Sequence, residues 1–198
     1  SPAAVHLAAA VRDLVAGRPG AGNELAPFDI GYVVVPSGST SRVASALGRT
    51  TTLTVVPAPG ATVWRSSRPT GELSVLAAAA ASTALRGTVP SLPVAAVLAA
   101  SPGSADVTTT AGLPGRLAVL AEPANGHWQA TVDGKRLVAR TAYGWAQAFE
   151  LPATGGRLRI SFNGGARHWW LGIELAAIVV TLGATLPARR PDDEDGAA

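Results

Sequence analysis

The sequence predicts a small α/β N-terminal unit, then a mainly antiparallel β-sandwich, and then a C-terminal transmembrane helix. Three observations carry that expectation. Residues 1–66 hold a helical apolar pattern followed by short β-branched runs. Residues 116–162 alternate apolar and polar side chains around an Asp-Gly turn signal. Residues 169–186, WWLGIELAAIVVTLGATL, are apolar apart from Glu174, at the short end of the ~17–25 residues that cross hydrocarbon.

Composition narrows the function classes. The 198 residues are 47% hydrophobic and 15% charged, with a mean hydropathy of +0.26; soluble domains carry about 25% charged residues. With Cys at 0, disulfides, thiolate nucleophiles and Cys-based metal sites are excluded. Met is also 0, so the chain reads as a processed product or a piece of a longer protein. The net charge is +3, and Asp192, Asp193, Glu194 and Asp195 gather acid at one end. The basic residues Arg12, Arg42, Arg65, Arg86, Arg116 and Arg140 are scattered. Nucleic acid, which wants a clustered basic patch, is not an expected partner.

In the first unit, residues 3–16 read as an amphipathic helix. Ser1 can cap it, Pro2 suits its first turn, and Ala4, Leu7, Ala8, Val11, Leu14 and Val15 share a face. Gly17, Gly20 and Gly22 end it as a turn and do not match a dinucleotide fingerprint. Ile30 to Val35 reads as a strand and Arg42 to Leu47 as a short helix. Thr51 to Val56 and Ala61 to Arg65 read as strands joined through Pro57-Ala-Pro59-Gly60. The unit spans 1–66.

A second domain is expected over 71–165. Leu73 to Leu85 is Ala-rich and helical by propensity. Pro90, Pro93 and Pro102 break the next stretch of chain, and Val94 to Leu98, Asp106 to Thr110 and Arg116 to Ala121 read as strands. Trp128 to Val132, the Asp133-Gly134 turn and Lys135 to Ala139 form a hairpin that pairs Val132 with Lys135 and Ala130 with Leu137. Trp128, Ala130, Val132, Leu137 and Ala139 then share one face. Trp145, Gln147, Phe149 and Leu151 alternate on the next strand; Leu158, Ile160 and Phe162 do so on the last. Strands with one apolar face each must pack on something, and a sandwich is the economical answer.

The apolar stretch 169–186 opens on Trp169-Trp170 and is followed by Arg189-Arg190, the flanks of a membrane span. The positive-inside rule places residues 1–168 outside the cytoplasm and the acidic tail 187–198 within it. Membrane lipid is the partner this implies, and the cell membrane the location.

The chemical inventory is thin. His6, His127 and His168 show no metal-ligand spacing, and no nucleophile elbow or phosphate loop is present. Asp193-Glu194-Asp195 formally matches an Asp-x-Asp metal motif but reads as a solvated end. No catalytic residue, cofactor or metal ligand is expected. His127 beside Trp128 offers an aromatic face and a polar edge that suit a sugar, and Tyr143 and Trp145 carry the same potential. These four are the candidates for glycan contact. The competing reading is core, since alternation puts Trp128 on the buried face.

Two stretches carry a family resemblance. ELAPFDIGYVVV (Glu24 to Val35) with ATVWRSS (Ala61 to Ser67) resembles the region after the membrane helices of large bacterial polytopic proteins. The run from Leu117 to Phe162 is similar to their closing extracytoplasmic β-domain, in which a Trp strand and an Asp-Gly-Lys hairpin recur. The match looks like the C-terminal extracytoplasmic domain and last transmembrane helix of actinobacterial polytopic family-two glycosyltransferases; YfhO-like membrane proteins share the hairpin more loosely. Gly126-His127-Trp128 stands where Pro-Gly-Trp is common in such proteins. The resemblance implies a non-catalytic extracytoplasmic portion of a membrane glycosyltransferase that assembles cell-envelope glycan. Its partners would be the upstream transmembrane and catalytic parts of the same protein, and the envelope glycan. Two other classes stay open: a membrane-anchored carbohydrate- or envelope-binding module, and a structural cap of a polytopic membrane protein.

Overall fold

A computed structural model describes residues 1–37, 41–92 and 94–164. The chain begins with helix α1 (Pro2–Val15), where Ser1 Oγ accepts the Ala4 N–H at 3.4 Å and Ala10 and Leu14 are buried. Gly20, with φ at 80°, turns the chain into a 3-10 stretch, Ala21–Phe28. Strand β1 (Tyr32–Pro36), helix α2 (Ser41–Gly48), and strands β2 (Leu53–Ala58) and β3 (Ala61–Ser66) come next. β3 lies in the middle of this sheet and pairs antiparallel with both neighbours. Its Trp64 is buried with Leu14, Leu25 and Leu47, against which Val33, Val35 and Leu53 pack.

The expected α/β unit is therefore corrected. An α/β unit needs parallel strands linked by crossover helices; here both pairings are antiparallel. The two-residue turn Pro59-Gly60 sends β2 straight back into β3, and β1, separated from β3 by α2 and β2 in the chain, takes the free edge of β3. The described chain as a whole is mostly antiparallel sheet with few helices.

The second part is a β-sandwich-like pair of antiparallel sheets. Strands β4 (Leu73–Leu76), β5 (Ala96–Leu98), β7 (Leu117–Pro123), β10 (Ala139–Ala142) and β11 (Ala146–Glu150) form one sheet in the order β10-β11-β7-β4-β5. Strands β6 (Ser104–Thr109), β8 (Trp128–Val132), β9 (Lys135–Arg136) and β12 (Gly156–Phe162) form the other, in the order β6-β12-β8-β9. Between them lie Leu73, Val75, Ala118, Leu120 and Phe149 from the first sheet and Trp128, Ala130, Val132, Leu158 and Ile160 from the second. Helix α3 (Ala78–Leu85) covers the opposite face of the five-stranded sheet, burying Ala80, Ala81 and Ala84 against Leu76, Leu117, Val119, Ala146 and Ala148.

Three local expectations change here. Leu73 to Leu85 is not one helix: its first four residues pair with β7 and β5, and helix begins only after Ala77. Helix propensity of the alanines is a few tenths of a kcal/mol per residue, less than Leu73, Val75 and Leu76 gain by burial in a sheet. The return strand of the hairpin is two residues long, after which the chain crosses to the other sheet as β10. Gln147 breaks the alternation of β11, because a bulge between Ala146 and Ala148 shifts the register against β7.

The expected transmembrane helix is not shown. The longest described helix has 14 residues, and among the described residues no helix is long and apolar enough to cross a membrane. The segment 169–186 lies outside the described residues.

The hairpin turn is as the sequence indicates: Val132 pairs with Lys135, and Asp133 and Gly134 have φ of 48° and 78°. These are the two positive values of a type I′ turn. A Cβ at Gly134 would touch nothing, so the penalty of a substitution there is conformational. Gly134→Val is expected to cost about 1–2 kcal/mol by forcing a β-branched residue into the left-handed region, and exposed Arg136→Ala to stay within about 0.5 kcal/mol. Thermal melts of the two variants, compared with the parent, check it.

Candidate functional site

The structure does not bring the four candidate glycan contacts together. Trp128 is buried in the sandwich core, its ring set edge-on to Phe162 at 5.0 Å between centroids. Exposed His127 tilts against the same Phe162 at 5.8 Å. Trp145 is buried on the other face of the five-stranded sheet, stacked on Phe28 at 4.3 Å with the rings 8° from parallel. Tyr143 is buried beside it. Three of the four are thus core side chains, and a sugar has no aromatic platform at these positions. His127 alone stays at the surface, where its backbone N–H donates to Asn125 Oδ1 at 2.9 Å.

Tyr143 sits at a second tight turn. Tyr143 and Gly144 have φ of 56° and 77°, and Trp145 N–H closes the turn onto Ala142 O. Tyr143 N–H donates to Ala84 O at 2.7 Å, which ties the β10–β11 turn to the end of α3. The ring faces a cavity of about 20 Å³ shared with Arg68, Leu76, Val89 and Pro90, room for one water molecule. Burial pushes the Tyr143 hydroxyl up to about 12, with Arg68 opposing. The shift favours the neutral hydroxyl.

Arg68, just past β3, acts as a clamp. Its Nη1 donates to Pro90 O at 2.8 Å and its Nη2 to Ser91 O. Burial lowers the Arg68 pKa, an effect that Tyr143 counters, while the carbonyls replace lost water contacts. The clamp fixes the loop 87–91 as one wall of an open groove of about 390 Å³. The opposite wall comes from His6 of α1 and from Gly20, Asn23 and Glu24 around the start of the 3-10 stretch. The side chains of His6, Asn23 and Glu24 line this wall and make no hydrogen bond or ion pair among the described residues. Sequence reasoning missed this groove. Its two walls come from segments far apart in the chain, and the proline-rich segment after α3 gave no periodic signal.

One acidic cluster lies elsewhere. Glu72 Oε1 is buried and has no hydrogen-bond partner among the described residues. Its pKa is raised, first by burial and then by the neighbouring Glu122 and Asp29 carboxylates, with a backbone N–H of Gly103 pulling the other way. No group of three metal-ligating side chains is positioned to hold an ion among the described residues.

No family model, no curated protein and no solved structure matches this chain.

Trp128→Ala should cost about 3–5 kcal/mol as a core truncation, and His127→Ala less than about 1 kcal/mol as a surface change; denaturant melts separate them. Glu72→Gln should raise the melting temperature at pH 7. Because the folded Glu72 pKa is raised, the folded state takes up its proton first as pH falls. The parent's deficit is then full above that folded value and gone below about pH 4, where the unfolded carboxyl is protonated too. Melts of both proteins between neutral and mildly acidic pH should therefore converge toward acid.

Proposed function

We propose that this chain is the non-catalytic extracytoplasmic portion of a membrane glycosyltransferase involved in cell-envelope glycan assembly. The observation that supports it best is the apolar surface of the first unit. Helix α1 exposes Val5, Val11 and Val15 while its other face buries Ala10 and Leu14. The three-stranded sheet turns Trp64 inward, and its other face carries Val56, Val63, Tyr32 at 59% and Val34 at 58% exposure, with Thr54 and Arg65 among them. Exposed valines and a tyrosine gathered on the outer faces of a helix and a sheet are ordinarily covered by a larger assembly or by lipid. The upstream membrane-embedded part of the same protein is the neighbour that the resemblance of Glu24 to Val35 and Leu117 to Phe162 supplies. That resemblance also carries the glycosyltransferase assignment, as an analogy between sequences. The chain's own task in this reading is to dock and to hold glycan, with sugar transfer performed upstream.

The absence of cysteine makes the location testable. In intact cells producing the natural full-length protein, Arg136→Cys should react with a membrane-impermeant maleimide more than the parent does. The purified 198-residue chain should transfer no sugar from a nucleotide or polyprenyl-phosphate donor. Labelling only after permeabilisation, or sugar transfer by the chain alone, would overturn the proposal.

A further inference from the structure

We propose that the groove between α1, the 3-10 stretch and the loop 87–91 is a binding site for a neutral saccharide of one or two rings. This deepens the proposed function and rests on it for the choice of ligand class. The volume, about 390 Å³, falls at the lower end of the range for small-molecule sites.

The lining decides the chemistry. Glu24 contributes one negative charge and Arg68 one positive charge, so the formal side-chain charge, with His6 neutral, is zero. A phosphate-bearing or polycationic ligand finds no complementary field there. A polyol does: the Glu24 carboxylate accepts from hydroxyls, the Asn23 amide both donates and accepts, and the His6 imidazole adds a further polar partner. Charge-assisted bonds from hydroxyl groups to Glu24 are the strongest the site can make. Pro19 and Val89 offer apolar surface to the C–H faces of a ring.

The walls are preset. Arg68 commits donors to the carbonyls of Pro90 and Ser91 and so pins one side. The other side is anchored below, where Phe28 stacks on Trp145 and Leu25 is buried. Ordering the site therefore costs a ligand little. Gly20 and Gly87 leave two wall positions without side chains, which opens the backbone to close approach.

The test is a titration of the full 198-residue chain, 15N-labelled and held in detergent micelles, with maltose, cellobiose and mannobiose, and with UDP and inorganic phosphate as anionic comparators. Saccharide should shift the amides of Gly20 to Glu24 and those of Gly87, Thr88, Val89 and Ser91. Glu24→Gln should weaken binding about tenfold or more, the loss of one charge-assisted hydrogen bond. Asn23→Ala should also weaken it, and both variants should keep the parent's melting temperature. His127→Ala should bind as the parent does. Saccharide shifts centred on His127 and Phe162 would overturn the groove assignment and leave the glycan reading standing. Groove shifts by UDP or phosphate alone would overturn the neutral ligand. No shift with any of the sugars would overturn the site, while maleimide labelling and sugar-transfer assays decide the proposed function independently.

Discussion

Strand β7 carries packing on both of its faces, and the rest of the second part is arranged around it. Ala118 and Leu120 point into the sandwich, while Leu117 and Val119 point toward α3, and all four are at most 2% exposed. Each fully buried Leu or Val side chain is worth about 1.5–3 kcal/mol. A strand buried on both sides must have partners on both edges for its backbone groups, which β4 and β11 supply. Arg116, immediately before it, is held at 9% exposure with Nη2 donating to Thr110 O at 3.0 Å and Pro152 O at 3.1 Å. A buried cation with no carboxylate partner among the described residues is costly, and the two loop carbonyls offset part of that cost. The same contacts fasten two loops of the sandwich to the start of the central strand.

The groove inherits its shape from this centre. The face of the sheet that β7 presents to α3 also receives Phe28 and Ala3, so the first unit sits on the five-stranded sheet by the Phe28–Trp145 stack. Of the aromatic side chains that look suited to sugar contact, Trp145 joins the two parts and Trp128 fills the sandwich. The groups left for recognition are polar and lie at their margin: His6, Asn23, Glu24 and the loop that Arg68 holds. Division of labour of this kind follows from area. Trp and Phe gain most where they are fully covered, whereas short polar side chains lose least where water reaches them.

Gln147 shows how a bulge reconciles conflicting demands within one strand. The extra residue lets Ala146 and Ala148 face α3 while Phe149 faces the sandwich. Gln147 is buried, and its amide is satisfied locally: Oε1 accepts from Asn125 N–H at 3.2 Å and Nε2 donates to Ala148 O at 3.1 Å. A polar side chain in that position is tolerated because its hydrogen bonds are made inside the fold.

By itself the sequence determined the elements whose signal is local. The Ser1-capped helix, the turn at Pro59-Gly60, the type I′ turn at Asp133-Gly134 and the alternation of Trp128, Ala130 and Val132 all stem from backbone sterics or from a period of two. Tertiary structure decided the rest. Leu73 to Leu76 became a strand because β5 and β7 offered edges on either side, a fact invisible to helix propensity. The chain left its hairpin after Leu137, whose N–H donates to Ala130 O at 2.9 Å, because β11 offered β10 a partner in the other sheet. Tyr143 and Trp145 became core, and His6, Glu24 and Arg68 came to share a groove, because those placements depend on contacts between residues far apart in the chain. Such contacts leave no periodic trace in the sequence, since nothing in the neighbourhood of either residue depends on the other until the fold has formed.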